Sequence, residues 1–229
     1  MIEAAAAGWG RCLGRYGQRV VNERSVRFIA ERPLPPTPLI LVCWHEHNLI
    51  ALAAYRLMRK GPAFTFVPKG IRGAAVAGWV GASGMVALPI PGDAQDGIQL
   101  RRMTEALRQG GDVLIAVDGP SGPRRRVRPG ALWLAEATGV PVVAFGCAAE
   151  AAFRFPRWDR HLVPLPGARI AAALSDPMAG RHDLGREGQE ERLARALDAM
   201  TERATIALKS QAGREPGASF QPGSARTWK

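Results

Sequence analysis

The sequence predicts an α/β fold in which a mainly parallel central sheet is flanked by helices. Three observations carry that prediction. Apolar runs of strand length recur along the chain, as expected of strands covered on both faces. Segments of helical length alternate with them, and Gly, Pro and Asp cluster at the junctions where the chain must turn. Strand, helix and strand repeated in this way give parallel strands joined by crossovers, with ligands bound beyond the strands' carboxyl ends.

At 229 residues the chain suits one domain, expected over residues 1–209. Residues 1–31 form a helical segment in this reading. Over residues 11–30, Leu13, Tyr16, Val20 and Val21 fall near one helical face and Arg11, Arg15 and Arg19 on another. Such a helix either packs on the domain or lies on a membrane surface. RPLPPTP, residues 32–38, then forbids helix, because proline lacks an amide donor and restricts the residue before it.

The first expected strand is LILVCW, residues 39–44. Further strands are expected at 63–67, 85–90, 112–117, 140–146 and 168–174, with helices at 47–60, 71–82, 96–109, 129–138 and 186–208. Pro129 sits where a following helix begins. From about residue 210 the tail carries Gly, Pro, Ser and charge without periodicity, and disorder is expected over 210–229.

Lysine and arginine outnumber acids 31 to 20, a formal net charge of +11, which favours phosphate-bearing partners, whether nucleic acid, an anionic membrane surface or phosphorylated small molecules. Nucleic acid is disfavoured, because aromatic residues do not interleave with the basic loop as a base-stacking platform requires. Cys12, Cys43 and Cys147 are odd in number and widely spaced, so neither a disulfide framework nor a metal site is expected. No window reaches about 18 uninterrupted apolar residues, and the amino terminus lacks a signal-peptide pattern. A cytoplasmic protein that does not span a membrane is expected.

Three polar stretches follow expected strands: WHEHN at 44–48, PKGIR at 68–72 and DGPSGPRRRVRPG at 118–130. The topology brings them to one edge of the sheet. In the last of them glycine and proline force a tight turn, while Arg124, Arg125, Arg126 and Arg128 offer charge and planar forks for phosphate. A solvated basic loop is the competing reading. His45, at the end of a buried strand beside Trp44, is either a general base or a core histidine bonded to a backbone carbonyl. On a helix starting here, Asn48 and Leu49 neighbour it while Glu46 points elsewhere. No local carboxylate is placed to orient its ring.

WHEHN, DGPSGPRRRVRPG, TGVPVV at 138–143 and WDRHLVPLP at 158–166 together resemble the bacterial DUF374 branch of the lysophospholipid acyltransferase superfamily, in matching order across residues 10–180. The resemblance implies transfer of a fatty acyl group from acyl-CoA or acyl-carrier protein to a hydroxyl of a phosphorylated lipid or glycolipid. It implies no cofactor beyond that donor substrate, and a place on the cytoplasmic face of the inner membrane. His45 falls on the superfamily's catalytic histidine. The acid usually found five residues later is replaced by Ile50, as is common in the branch.

Glu46, His47 or Asp118 can stand in for that acid, Asp118 first because it should lie at the neighbouring strand end. Asp118, Gly119 and Gly122, with Arg124 or Arg125, stand where the superfamily holds acceptor phosphate. Lys69 and Arg72 keep cationic character after the second strand. The branch's Arg-Gly-Ser-Ser element is not recognisable in LPIPGDAQDG, residues 88–97. Trp158 and the paired prolines read as a rigid connection against the sheet. The missing acid also admits an inactive relative that binds anionic lipid as a scaffold.

Overall fold

The computed structural model describes residues 1–36, 38–89, 96–179 and 185–211. In chain order the elements are α1 (Ile2–Val20), β1 (Val26–Ile29), β2 (Ile40–Cys43), a 3-10 turn (His45–His47), α2 (Asn48–Met58), β3 (Ala63–Val67), α3 (Gly70–Ala82) and β4 (Val86–Pro89). They continue with α4 (Asp96–Arg108), β5 (Asp112–Ala116), α5 (Gly130–Thr138), β6 (Val142–Ala149), β7 (Ala152–Arg154), β8 (Leu162–Pro164), β9 (Ile170–Leu174) and α6 (Arg186–Gln211). The main sheet has the order β1-β9-β6-β2-β5-β3-β4, and β7 and β8 form a separate antiparallel hairpin.

All neighbouring strands of the main sheet are parallel except β6 and β9. The carboxyl ends of β2, β3, β4, β5 and β6 therefore share one edge. The sheet is covered on both faces, which is why β2 is a continuous apolar run. Leu41 and Cys43 face a cluster that includes α2 and the Trp79–Val80 part of α3. Ile40, Val42 and Trp44 face the opposite cluster, with Met103 of α4, Leu134 of α5 and Leu193 of α6.

The amino-terminal segment departs from expectation. The helix expected over 11–30 ends at Val20, and residues 26–29 pair in parallel with β9 as β1. Asn22 makes the break: its side-chain oxygen accepts from the Arg24 and Ser25 amides, while its side-chain nitrogen donates to the Arg19 carbonyl. The β7–β8 hairpin is a second departure. The disorder expected at the tail lies outside the described residues from 212 on, while residues 210 and 211 complete α6. Most of LPIPGDAQDG likewise lies outside them.

Helix α1 packs on α3 through glycine, with Arg11, Arg15 and Arg19 outward. A Cβ on Gly10 would lie 1.8 Å from the Ala75 carbonyl oxygen, and one on Gly78 would lie 2.2 Å from that of Ala7. Backbone meets backbone here, so no side chain can move aside. Gly10→Ala should force the helices apart and cost about 1–3 kcal/mol of stability. Urea denaturation checks this; an unchanged midpoint would mean the helices are not held together at this contact.

Candidate functional site

The register of β2 against β5 builds the centre of the site. Cys43 is paired with Ala116, an offset of 73 residues, and two positions further along each strand stand His45 and Asp118. Polar residues immediately past two adjacent buried strands thus meet at the carboxyl edge. Asp118 Oδ1 accepts from the His45 backbone amide at 2.9 Å and lies 3.1 Å from its ring Nδ1. Asp118 Oδ2 accepts from the Arg125 amide at 3.1 Å.

Asp118 is buried, while the His45 side chain remains 22% exposed. Burial works to raise the Asp118 pKa, but the hydrogen bonds from the His45 ring and amide and from the Arg125 amide outweigh it and leave it lowered. An ionised carboxylate can only accept, so Nδ1 carries the proton of this contact, and in the neutral ring that leaves the lone pair on Nε2. That is the arrangement a general base needs.

Ile50 explains why the acid is not local. Its side chain is wholly buried in the α2 face of the core, so a carboxylate at position 50 would have to be desolvated among apolar neighbours.

The ring and backbone of His45 are held from other sides as well. Trp158 packs against it with centroids 5.2 Å apart, and His161 Nδ1 lies 3.1 Å from the His45 carbonyl oxygen. Trp158 also fills the space beside Gly122, where a Cβ would come within 2.8 Å of Cε3. Gly119 and Gly122 have φ of +69° and +80°, which favours glycine, and a Cβ on Gly119 would strike Arg128. Their open sides are thus filled by the chain's own Arg128 and Trp158. Arg128 Nη2 donates to the Gly122 carbonyl at 2.6 Å, which ties this arginine to the turn.

Arg124 and Arg125 are not the free cations the sequence suggested. Glu46, which is buried, accepts from Arg124 Nη2 at 2.6 Å and from Arg125 Nε at 2.8 Å, and Arg154 Nη1 reaches it at 3.3 Å. Burial opposes ionisation of Glu46, yet its pKa is lowered by the charges beside it and by the bonds from Arg124 and Arg125. Its other neighbour, His47, is pushed down to about 4 by burial, so at neutral pH the arginines supply the counter-charge. Arg125 also meets Asp198 of α6 at 3.3 Å and holds a left-handed φ of 57°, a conformation that persists where surroundings fix it.

Lys69 and Arg72 lie exposed at the start of α3, beyond the carboxyl end of β3 on the same edge. Sequence reasoning missed the anchoring role of Glu46, and Arg154 and His161 altogether. The available signal was charge complementarity between the one acid in WHEHN and the arginine run of the loop.

No family model matches the chain. Over 158 residues the chain is 23% identical to an uncharacterized protein of Rickettsia prowazekii (strain Madrid E), spanning 69% of each. Among solved structures it is similar to the 1-acyl-sn-glycerophosphate (LPA) acyltransferase PlsC from Thermotoga maritima, with a TM-score of 0.53 and 16% identity, covering 91% of this chain and 81% of that one. The two share an α/β fold with a mostly parallel sheet between helices.

Proposed function

We propose that the protein transfers a fatty acyl group from acyl-CoA or acyl-carrier protein to a hydroxyl of a phosphorylated lipid or glycolipid acceptor, as an atypical member of the lysophospholipid acyltransferase superfamily close to its DUF374 branch. The contact between Asp118 and the His45 ring carries this reading. His45 Nε2 takes the acceptor hydroxyl proton as the oxygen attacks the thioester carbonyl; the carbon–sulfur bond breaks, and the thiolate leaves with the proton returned by His45. Asp118 fixes the ring, and Arg124, Arg125, Lys69 and Arg72 supply positive charge for acceptor phosphate along the same edge.

The reaction belongs at a membrane surface in this reading, on the cytoplasmic face of the inner membrane. Two apolar features support contact with a membrane surface: Ile2 and Trp9 on α1, and the edge-to-face pair Phe153 and Phe155 beside Arg154 and Arg157, all substantially exposed. Among the described residues no helix is long and apolar enough to cross a membrane. The scaffold alternative drew on the missing acid at position 50, and the contact made by Asp118 weakens it.

The test presents acyl-CoA or acyl-carrier protein with lysophospholipid or a lipid A precursor in vesicles and follows product by mass spectrometry. Product above the enzyme-free background is expected with at least one pair. Vesicle binding without turnover on any donor would replace the enzyme reading with the scaffold.

A further inference from the structure

Arg154 stands apart from the other arginines at Glu46. It reaches the site from the end of β7, its side chain is 50% exposed, and it meets Glu46 through one nitrogen at 3.3 Å. Arg124 and Arg125, with side chains 31% and 33% exposed, hold Glu46 through shorter bonds, and Arg125 is shared with Asp198. A guanidinium offers five N–H donors in a planar fork. Arg154 makes no other hydrogen bond or ion pair among the described residues, so most of its fork is available to a ligand.

Glu46 fixes what surrounds that fork. It is 1% exposed, so its charge cannot be relieved by water, and it draws three guanidiniums from two separate segments into one cluster. Asp198, half exposed, and Asp118, bonded to the Arg125 amide, balance much of the arginine charge, so an anion would be held by the unshared N–H donors of Arg154 at the rim of this cluster. Glu46 directly follows His45, which places the cluster beside the candidate base.

We propose that Arg154 is the free arm of an anion site whose fixed wall is Arg124 and Arg125 held on Glu46, and that the site takes a phosphate monoester. The site follows from geometry and charge; only the ligand's source rests on the acyl-transfer reading. An acceptor headgroup and the 3′-phosphate of coenzyme A share this chemistry.

The experiment titrates the full chain calorimetrically with sn-glycerol 3-phosphate, coenzyme A and 3′-dephospho-coenzyme A, using wild type, Arg154→Gln and Arg160→Gln. Arg160 is exposed in the same hairpin connection and serves as the charge control. Arg154→Gln should weaken binding of the phosphate-bearing probe by about tenfold or more, as loss of a charge-assisted bond predicts, while Arg160→Gln changes it less than about twofold. An effect confined to glycerol 3-phosphate assigns the site to the acceptor. An effect on coenzyme A that the dephospho form does not share assigns it to the donor.

Equal weakening by both variants, no effect of Arg154→Gln, or no saturable binding by wild type would overturn the proposal. The readout is independent of turnover. Binding lost in Arg154→Gln by a protein that transfers no acyl group would keep the site and sink the enzyme reading, whereas turnover with unchanged phosphate affinity does the reverse.

Discussion

Asp118→Asn should lower the turnover number for acyl transfer by about 10²- to 10⁴-fold, the span a positioned base contributes, with little change in KM. Asparagine keeps the size of the side chain and can still accept from one amide. It also carries an NH₂ group, so the ring Nδ1 is no longer obliged to donate, and the tautomer with a free lone pair on Nε2 loses its enforcement. The same carboxylate bonds the amides of His45 and Arg125, so a thermal melt must accompany the kinetics. A KM that rises at unchanged turnover would make Asp118 a binding group instead.

The pH dependence of this contact has a definite sign. The folded pKa of Asp118 is lowered, chiefly by its bonds with His45 against the opposing effect of burial. Its contribution to stability is therefore fully present above the unfolded value, about 3.9, and is lost as pH falls through the folded value.

Asp112→Ala should cost about 3–5 kcal/mol of stability, the loss expected when one partner of a buried ion pair is removed. Asp112 begins β5, at the opposite edge of the sheet from the site, and is 2% exposed. It accepts from the Leu39 amide at 2.9 Å and the Tyr55 hydroxyl at 2.8 Å, and binds Arg59 through both oxygens. Burial and the bond to Asp112 push the Tyr55 hydroxyl above its ordinary pKa, so it stays a donor. Arg59 in turn donates to the Pro35 and Pro36 carbonyls, tying down the proline segment before β2. Denaturant titration measures the loss. A change below about 1 kcal/mol, the range of an exposed pair, would show that the network is not a unit.

The two aspartates show what the sequence made legible. LILVCW and DVLIAV read as buried strands because both faces are covered, and a polar residue just past each carboxyl end marks the site edge. Asp118 could be named for that reason before its contact with His45 was seen. Strand β1 was hidden because VRFI continues the spacing of a helix, and only the turn at Asn22 betrays the break. Strands β7 and β8 have three residues each, too few to show a period.

The place of Arg154 at Glu46 was beyond reach for a different reason. Arg154 lies 108 residues from Glu46, and their meeting depends on where a hairpin sits, which no local pattern encodes. The nearest acid in the chain, Asp118, takes the Arg125 backbone amide and the His45 ring and no arginine side chain, so the run read as free cations. The fold supplies the acid from the end of another strand, which changes two of those arginines from free charge to fixed wall.

Steady-state transfer by His45→Ala, compared with wild type on the same donor and acceptor, tests the central claim most directly. If His45 is the base, the variant should fold normally and lose about 10²- to 10⁴-fold in turnover. Full retention of transfer by a folded His45→Ala protein would contradict the assignment.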